Sequence, residues 1–152
     1  MRRKDKEISN ESDIKAIIEK TSVCRLGMVE GNKPYIVPLC FGYSDNALYF
    51  HGALKGKKID LIRGNPNVCF EFDLLTETIE SDNACDWSMK YQSIIGFGKA
   101  SFIENLDEKR NAISIIMRQY SERSFQFPEN QLKATAVIKV EIESLTSKQS
   151  GF

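Results

Sequence analysis

The stretch VCRLGMVEGNKPYIVPLCFGYSDNALYFH, residues 23–51, reads as three β-strands joined by two tight turns. Val23 to Val29 is the first strand. Glu30-Gly31-Asn32-Lys33-Pro34 is dense in turn formers and closes a hairpin into a second strand, Tyr35 to Tyr43. Ser44-Asp45-Asn46 makes another short turn, and Ala47 to His51 follows as the third strand. Such short connections join antiparallel neighbours, because a parallel crossover needs a dozen residues or more. The stretch is a meander and not a βαβ unit.

The flanks fit the same plan. Upstream, after a polar leader, a helix is expected to start near Ser12, with Ile14, Ile17 and Ile18 forming one apolar stripe. Downstream, Lys58, Ile59 and Ile62 give helical spacing within Leu54 to Arg63, and Gly64-Asn65-Pro66 stops that helix. Val68 to Asp73 alternates as a fourth strand, and Leu74 to Lys90 reads as polar and irregular. Gln92 to Phe102 is a fifth strand interrupted by Gly96 and Gly98, where a bulge or a close strand approach is expected. Asn105 to Tyr120 is the clearest helix, with Asn105 as its cap and Glu108 at the capping-box position. Thr135 to Ile142 alternates again, with Ala136, Ile138, Val140 and Ile142 on one face. Six strands and three helices imply an α+β, mainly β domain built on an antiparallel barrel-like sheet with flanking helices. A single domain over residues 1–152 is expected, long enough to bury a core without staples.

Twenty-one Lys plus Arg balance 21 Asp plus Glu, so the formal net charge is zero. A chain that coats nucleic acid or an anionic membrane is normally basic, so neither is expected as a partner. Cys24, Cys40, Cys69 and Cys85 form no C-x-x-C pair and have no His-rich companion motif, so no metal site is expected. Met1-Arg2-Arg3-Lys4 is basic, but no apolar segment follows it as in a secretory signal. The expectation is a cytoplasmic protein with reduced cysteines, most of them in the core or on strands.

The chemistry concentrates in His51-Gly52-Ala53-Leu54-Lys55-Gly56-Lys57-Lys58. Three lysines gather at the expected first turn of the second helix, where the macrodipole disfavours cations by about 0.3–1 kcal/mol each. An anion resolves that conflict, since free backbone N–H groups and lysine side chains then meet at one phosphate. A solvated basic loop is the other reading, and the residues alone leave both open. His51, the sole histidine, ends a strand on the face of Tyr49 and Ala47. It is either a partly buried polar residue or, standing before the lysine loop, a ligand-facing one. Trp87, in Cys85-Asp86-Trp87, is either a hydrophobic plug or a stacking surface. Gly96-Phe97-Gly98 lacks the third glycine and the strand-to-helix context of a dinucleotide motif.

The runs Cys24-Arg25-Leu26-Gly27, Pro34-Tyr35-Ile36-Val37-Pro38-Leu39, Phe41-Gly42-Tyr43, Leu48-Tyr49-Phe50-His51 and Gly56-Lys57-Lys58-Ile59 resemble the pyridoxamine-phosphate-oxidase-like flavoproteins. Ala84-Cys85-Asp86-Trp87, Ile95-Gly96-Phe97-Gly98-Lys99-Ala100 and Ser147-Lys148-Gln149-Ser150-Gly151 look like the nitroimidazole-resistance branch. The resemblance implies a split β-barrel homodimer with FMN in a cleft between subunits. It implies that the backbone of Val37, Pro38, Leu39 and Cys40 lies along the isoalloxazine ring. Lys57 and Lys58 would then clamp the phosphate, His51 and Gly52 would flank the ribityl chain and ring, and Trp87 would approach from the interface. The tail Ser144–Phe152 has no arginine, unlike the vitamin B6 oxidases, which argues against pyridoxamine phosphate as substrate. Cys40 stands where many relatives carry a polar amide. The function implied is an FMN-dependent reductase of nitroaromatic small molecules, with His51 as its candidate catalytic residue. The alternative is a non-catalytic flavin- or haem-binding module for storage or sensing.

Overall fold

The computed structural model describes residues 3–152; Met1 and Arg2, the start of the basic opening, lie outside the described residues. The strands are β1 (Glu7–Ile8), β2 (Cys24–Glu30), β3 (Lys33–Leu39), β4 (Gly42–Ser44), β5 (Ala47–Ala53), β6 (Asn67–Ile79), β7 (Ser88–Phe102) and β8 (Thr135–Ser150). The helices are α1 (Glu11–Lys20), α2 (Lys57–Gly64), α3 (Leu106–Arg118) and the short α4 (Glu129–Lys133). All strand pairs among the described residues are antiparallel. The sheet runs β3-β2-β6-β7-β8-β5-β4, with β1 added on β8. Its two end strands, β3 and β4, are joined only by Cys40 and Phe41. The sheet must therefore curl until its edges come near, yet no ladder joins β3 to β4 among the described residues. That seam makes the barrel split.

Inward-facing residues of five strands, β2, β5, β6, β7 and β8, fill the barrel. Leu26, Leu48, Phe50, Phe70, Phe72, Ile94, Ile138 and Val140 have no exposed surface. Phe72 packs between Phe41 and Phe70, with ring centroids 4.8 and 5.8 Å away. Gly96 stands opposite Phe70 in the ladder, and a Cβ there would lie 2.1 Å from the Phe70 ring. The ring uses the space that a side chain would take.

The two hairpins of the expected meander form, β2 with β3 and β4 with β5, the second through a turn with Asp45 and Asn46 both at positive φ (49° and 56°). The middle strand, however, is divided between the two ends of the sheet, so the three strands are not neighbours. Helix α1 starts at Glu11, next to the expected start, and is capped by Asn10, whose side chain accepts from the Ser12 N–H at 2.9 Å. Asn105 caps α3 as expected, accepting from Asp107 and Glu108 N–H at 2.9 and 3.1 Å.

Four sequence expectations need correction. The strand expected from Tyr35 to Tyr43 breaks at Cys40 and Phe41, where the chain crosses the seam and the Phe41 N–H donates to Tyr120 Oη at 2.9 Å. The segment 74–90 is largely strand: β6 and β7 run on as a two-stranded arm to the pair Ile79 and Ser88. That arm covers neither of its faces, so no alternation marks it. β8 continues past Ile142 to Ser150. The expected bulge is there, with Phe97 opposite Ser144 but Gly98 opposite Ile142. Glu143 is thus the extra residue, and beyond it the buried parity flips from even positions to Leu145 and Ser147. Finally, α2 begins at Lys57 and not near Leu54, because Gly56 takes φ +133° and interrupts the spiral.

Candidate functional site

The site grows from the seam. Tyr35, Val37 and Leu39 are the inward residues of β3, but with no strand beyond them they are only half-buried. Opposite stands the first turn of α2, placed by burial of Ile59, Leu61 and Ile62 against the core. Between them runs a groove of about 400 Å³. Val37, Pro38 and Leu39 wall one side of it, and Gly56, Lys57 and Lys58 the other. The structure thus brings together five of the residues singled out in the sequence. Two larger clefts, about 480 Å³ beside α1 and about 450 Å³ between α1 and α3, mix both signs of charge in their walls. Neither gathers like charges as this groove does.

The two lysines differ. Lys57 Nζ is 2.8 Å from Glu30 Oε2 and 4.9 Å from the Tyr35 ring centroid, and the hydrogen bond to Glu30 raises its pKa. Lys58 is half-buried, has no carboxylate within ion-pair distance among the described residues, and burial lowers its pKa. Its Nζ lies over Gly52, where a Cβ would sit 3.0 Å away. The amides of Ile59 and Asp60 already bond the Gly56 carbonyl at 2.9 and 3.1 Å. Those of Lys57 and Lys58 have no backbone acceptor among the described residues. An anion at this end of the groove would meet two free N–H groups and an ammonium without a counter-ion.

His51 lies just beyond Lys58, on the outer side of β5 and opposite Val137 in the ladder. Burial, and then the Lys58 charge, lower its pKa, so the imidazole is neutral at pH 7. Neither His51 nor Gly52 walls the groove directly; both meet it through Lys58. Cys40 is exposed just after β3, at the end of the groove wall. Trp87 sits at the tip of the β6–β7 arm, half exposed, its indole N–H donating to the Ser81 carbonyl at 2.7 Å. It does not line the groove of its own chain. Cys24 is buried on β2 and Cys69 lies on β6, whereas Cys40 and Cys85 are exposed outside the strands, fewer on strands than expected.

The sequence reading missed three contributors. Glu30 was a turn residue and Tyr35 a strand residue, and only their proximity to Lys57 gives them a role. Tyr120 holds the seam: its hydroxyl accepts from Phe41 N–H and donates to the Ser22 carbonyl at 2.8 Å. Next to it, Gln119 Nε2 donates to the Ile18, Glu19 and Thr21 carbonyls at the end of α1. No sequence signal links residues about a hundred positions apart.

The outer face of β3 is also apolar. Ladder partners place Ile36, Gly27, Cys69 and Phe97 in one row across four strands. Ile36 is 63% exposed and Phe97 56%. An apolar depression of about 320 Å³ lies along this row.

An open antiparallel sheet, curled until its edges almost meet, with a basic helix start beside the seam, defines a split β-barrel. The chain belongs to the pyridoxamine 5'-phosphate oxidase family, whose sequence pattern matches residues 10–149. It is similar to a candidate 5-nitroimidazole antibiotic resistance protein from Bacteroides thetaiotaomicron, at 34% identity and a TM-score of 0.85. That match covers 93% of this chain and 85% of the other. An FAD and haem binding protein from Mycobacterium smegmatis shares the fold with a TM-score of 0.89, at 16% identity over 97% of this chain and 74% of that one. An uncharacterized protein of Rhizobium meliloti is 30% identical over 64 residues, 42% of each chain, so this chain spans under half the length of that curated relative. No helix among the described residues is long and apolar enough to cross a membrane.

Proposed function

We propose that this chain is an FMN-dependent oxidoreductase that reduces nitroaromatic small molecules. The observation that carries the reading is the groove, in which an apolar strand wall faces a half-buried lysine without a counter-ion at a helix start. The group fits the residues present. Gly52 leaves room for Lys58, Gly56 has nothing within 4 Å of a Cβ position, and the β3 wall suits a flat apolar ring. The nitroaromatic class is supported by the 34% identity to the Bacteroides protein.

When bound, FMN supplies the redox chemistry, taking electrons from an external donor and passing them to the substrate. The chain's residues do the rest. Lys57 and Lys58, with the two free amides, hold the phosphate, and Lys57 leaves Glu30 to do so. Val37, Pro38, Leu39 and Cys40 line the ring and keep water from one of its faces. His51, its pKa lowered by burial and by the Lys58 charge, stands beside Lys58 with an imidazole nitrogen free to accept a proton. A second copy of the chain covers the other side and brings its Trp87 toward the substrate. The exposed row from Ile36 to Phe97 supports that pairing, since a lone chain would leave it in water. The protein works in the cytoplasm.

The test is the absorption spectrum of the purified protein, followed by turnover of a nitroaromatic compound by the FMN-loaded protein supplied with a reductant. A flavin spectrum with turnover supports the reading. A haem Soret band, or flavin that stays bound without turnover, replaces it with a binding module.

A further inference from the structure

The cleft of about 480 Å³ beside α1 shares no lining residue with the groove at the seam. One of its walls is a stripe of α1. Asp13, Ala16, Ile17 and Lys20 recur at i, i+3, i+4 and i+7, so one face of the helix presents an acid near its start and a base at its end. A rise of about 1.5 Å per residue puts those two positions about 10 Å apart along the helix. Glu7, on the short strand before α1, adds a second carboxylate to the cleft. None of Glu7, Asp13 and Lys20 has an ion-pair partner among the described residues.

The sheet supplies the other wall, with Gln92 of β7 and Gln149 of β8 paired in the ladder and both half-buried. Gln92 Nε2 donates to Gln149 Oε1 at 3.3 Å, and neither side chain has another hydrogen bond among the described residues. The Gln92 carbonyl and the Gln149 amide are thus left without partners. Two residues before Gln149, Ser147 lies on the same face of β8, between Ile8 of β1 and Ile94 of β7. It is 1% exposed, and its hydroxyl is the one buried side-chain polar group among the described residues that has no hydrogen-bond partner. Buried polar groups are normally satisfied, and a half-satisfied network is costly. Here one lies along the floor of a cleft that carries charge at both ends.

We propose that this cleft binds a short peptide with free ends. The peptide's ammonium meets Asp13 and Glu7, and its carboxylate meets Lys20. An extended chain spans about 3.3–3.6 Å per residue, so about three residues bridge the two ends. Its peptide groups offer one donor and one acceptor each, which is what the Gln92 carbonyl and the Gln149 amide lack. Ala16 and Ile17, between the charged positions, give small apolar side chains a surface to lie on. The volume is within the range of small-ligand sites. A ligand with one charge would leave one end of the cleft unpaired, and a polyanion would meet two carboxylates. The inference does not depend on the flavin reading.

The experiment is a calorimetric titration of the protein with trialanine, N-acetyl-trialanine and trialanine amide. Trialanine is expected to bind, and blocking either end to weaken it by about tenfold or more, because each block removes one charge-assisted contact. Asp13 and Lys20 are exposed, so Asp13→Asn and Lys20→Ala leave the core intact. Lys20→Ala should erase the difference between trialanine and its amide while keeping the difference between trialanine and its acetylated form. Asp13→Asn should narrow the second difference and keep the first. Ser147→Ala should weaken trialanine severalfold and leave the empty protein no less stable, since it removes an unpaired hydroxyl. No binding of trialanine at millimolar concentration, or equal binding of the three peptides, overturns the site. Trialanine that binds wild type, Asp13→Asn and Lys20→Ala alike moves the peptide elsewhere and overturns it too. A Ser147→Ala protein that melts well below wild type shows the hydroxyl to be partnered within the chain and overturns its part in the site.

Discussion

Strands β5 and β3 have similar lengths and opposite habits. In β5, Leu48 and Phe50 are wholly buried, while Tyr49 and His51 turn outward, as a strand with one wet face should. In β3, Tyr35, Val37 and Leu39 face in and Ile36 faces out, yet neither set is fully covered. A strand apolar on both sides and covered on neither has not finished its packing within its own chain. β5 holds the barrel together. β3 is kept for something else, a ligand on one face and a second copy on the other in the reading proposed here.

The largest expected effect falls on β5. Phe50→Ala removes a ring with no exposed surface and should cost about 3–5 kcal/mol of stability. Chemical denaturation should register that as a clear fall in midpoint. A loss under about 1 kcal/mol would mean that the β5 side is no better packed than β3, and the contrast would collapse.

On β3 and its facing helix start, substitutions should alter binding and not stability. Losing both Lys57 and Lys58 removes charge-assisted contacts, so Lys57→Ala with Lys58→Ala should weaken FMN binding by about two orders of magnitude. Riboflavin, which lacks the phosphate, should bind wild type and variant alike. The empty protein should be no less stable, because Lys58 has no counter-ion to lose and the Lys57–Glu30 pair is exposed. Unchanged FMN affinity would mean that the phosphate is held elsewhere.

How much of this was legible follows the same division. The β5 side obeys local rules, so alternation at 48–51 and 136–142 found its strands and their buried faces. The lysine cluster was legible because it offends a local rule at a helix start. The arm over 74–90 was not, since a two-stranded ribbon wet on both faces needs no alternation. Residues past Ile142 were hidden by Glu143, one bulged residue that reverses which parity faces inward. Glu30 and Tyr120 join the site through contacts that only the curled sheet creates.

The outer face of β3 gives a smaller effect, readable only in association. Ile36→Lys places a charge in the middle of the exposed apolar row and should weaken self-association by about tenfold or more. The melting temperature at low concentration should hardly move, because Ile36 is 63% exposed in the single chain. Sedimentation of both proteins across a concentration series measures this. A wild-type monomer at micromolar concentration would remove the second copy from the reading, whereas a variant that dimerises like wild type would move the contact to another face.

The smallest expected effect is also the most local, and it tests whether the outward end of β5 is tied to the groove. Burial lowers the His51 pKa first, and the Lys58 charge lowers it further. The depressed pKa means that the unfolded chain takes up the proton more readily than the folded one. Acidification through the ordinary histidine range therefore costs the folded state stability, and that cost is absent above about pH 6.5, the ordinary value. Because His51 is the sole histidine, its imidazole protons can be followed by NMR without assignment. Lys58→Ala should raise the midpoint, but not to its ordinary value, since burial remains. Binding of FMN should raise it in the wild type, because a phosphate beside Lys58 offsets the charge that repels the imidazolium. Riboflavin brings no phosphate and should not reproduce that part of the shift. A midpoint indifferent to Lys58→Ala and to FMN alike would separate His51 from the groove. It would then be an ordinary outward residue of β5, and the proton role proposed for it would fall.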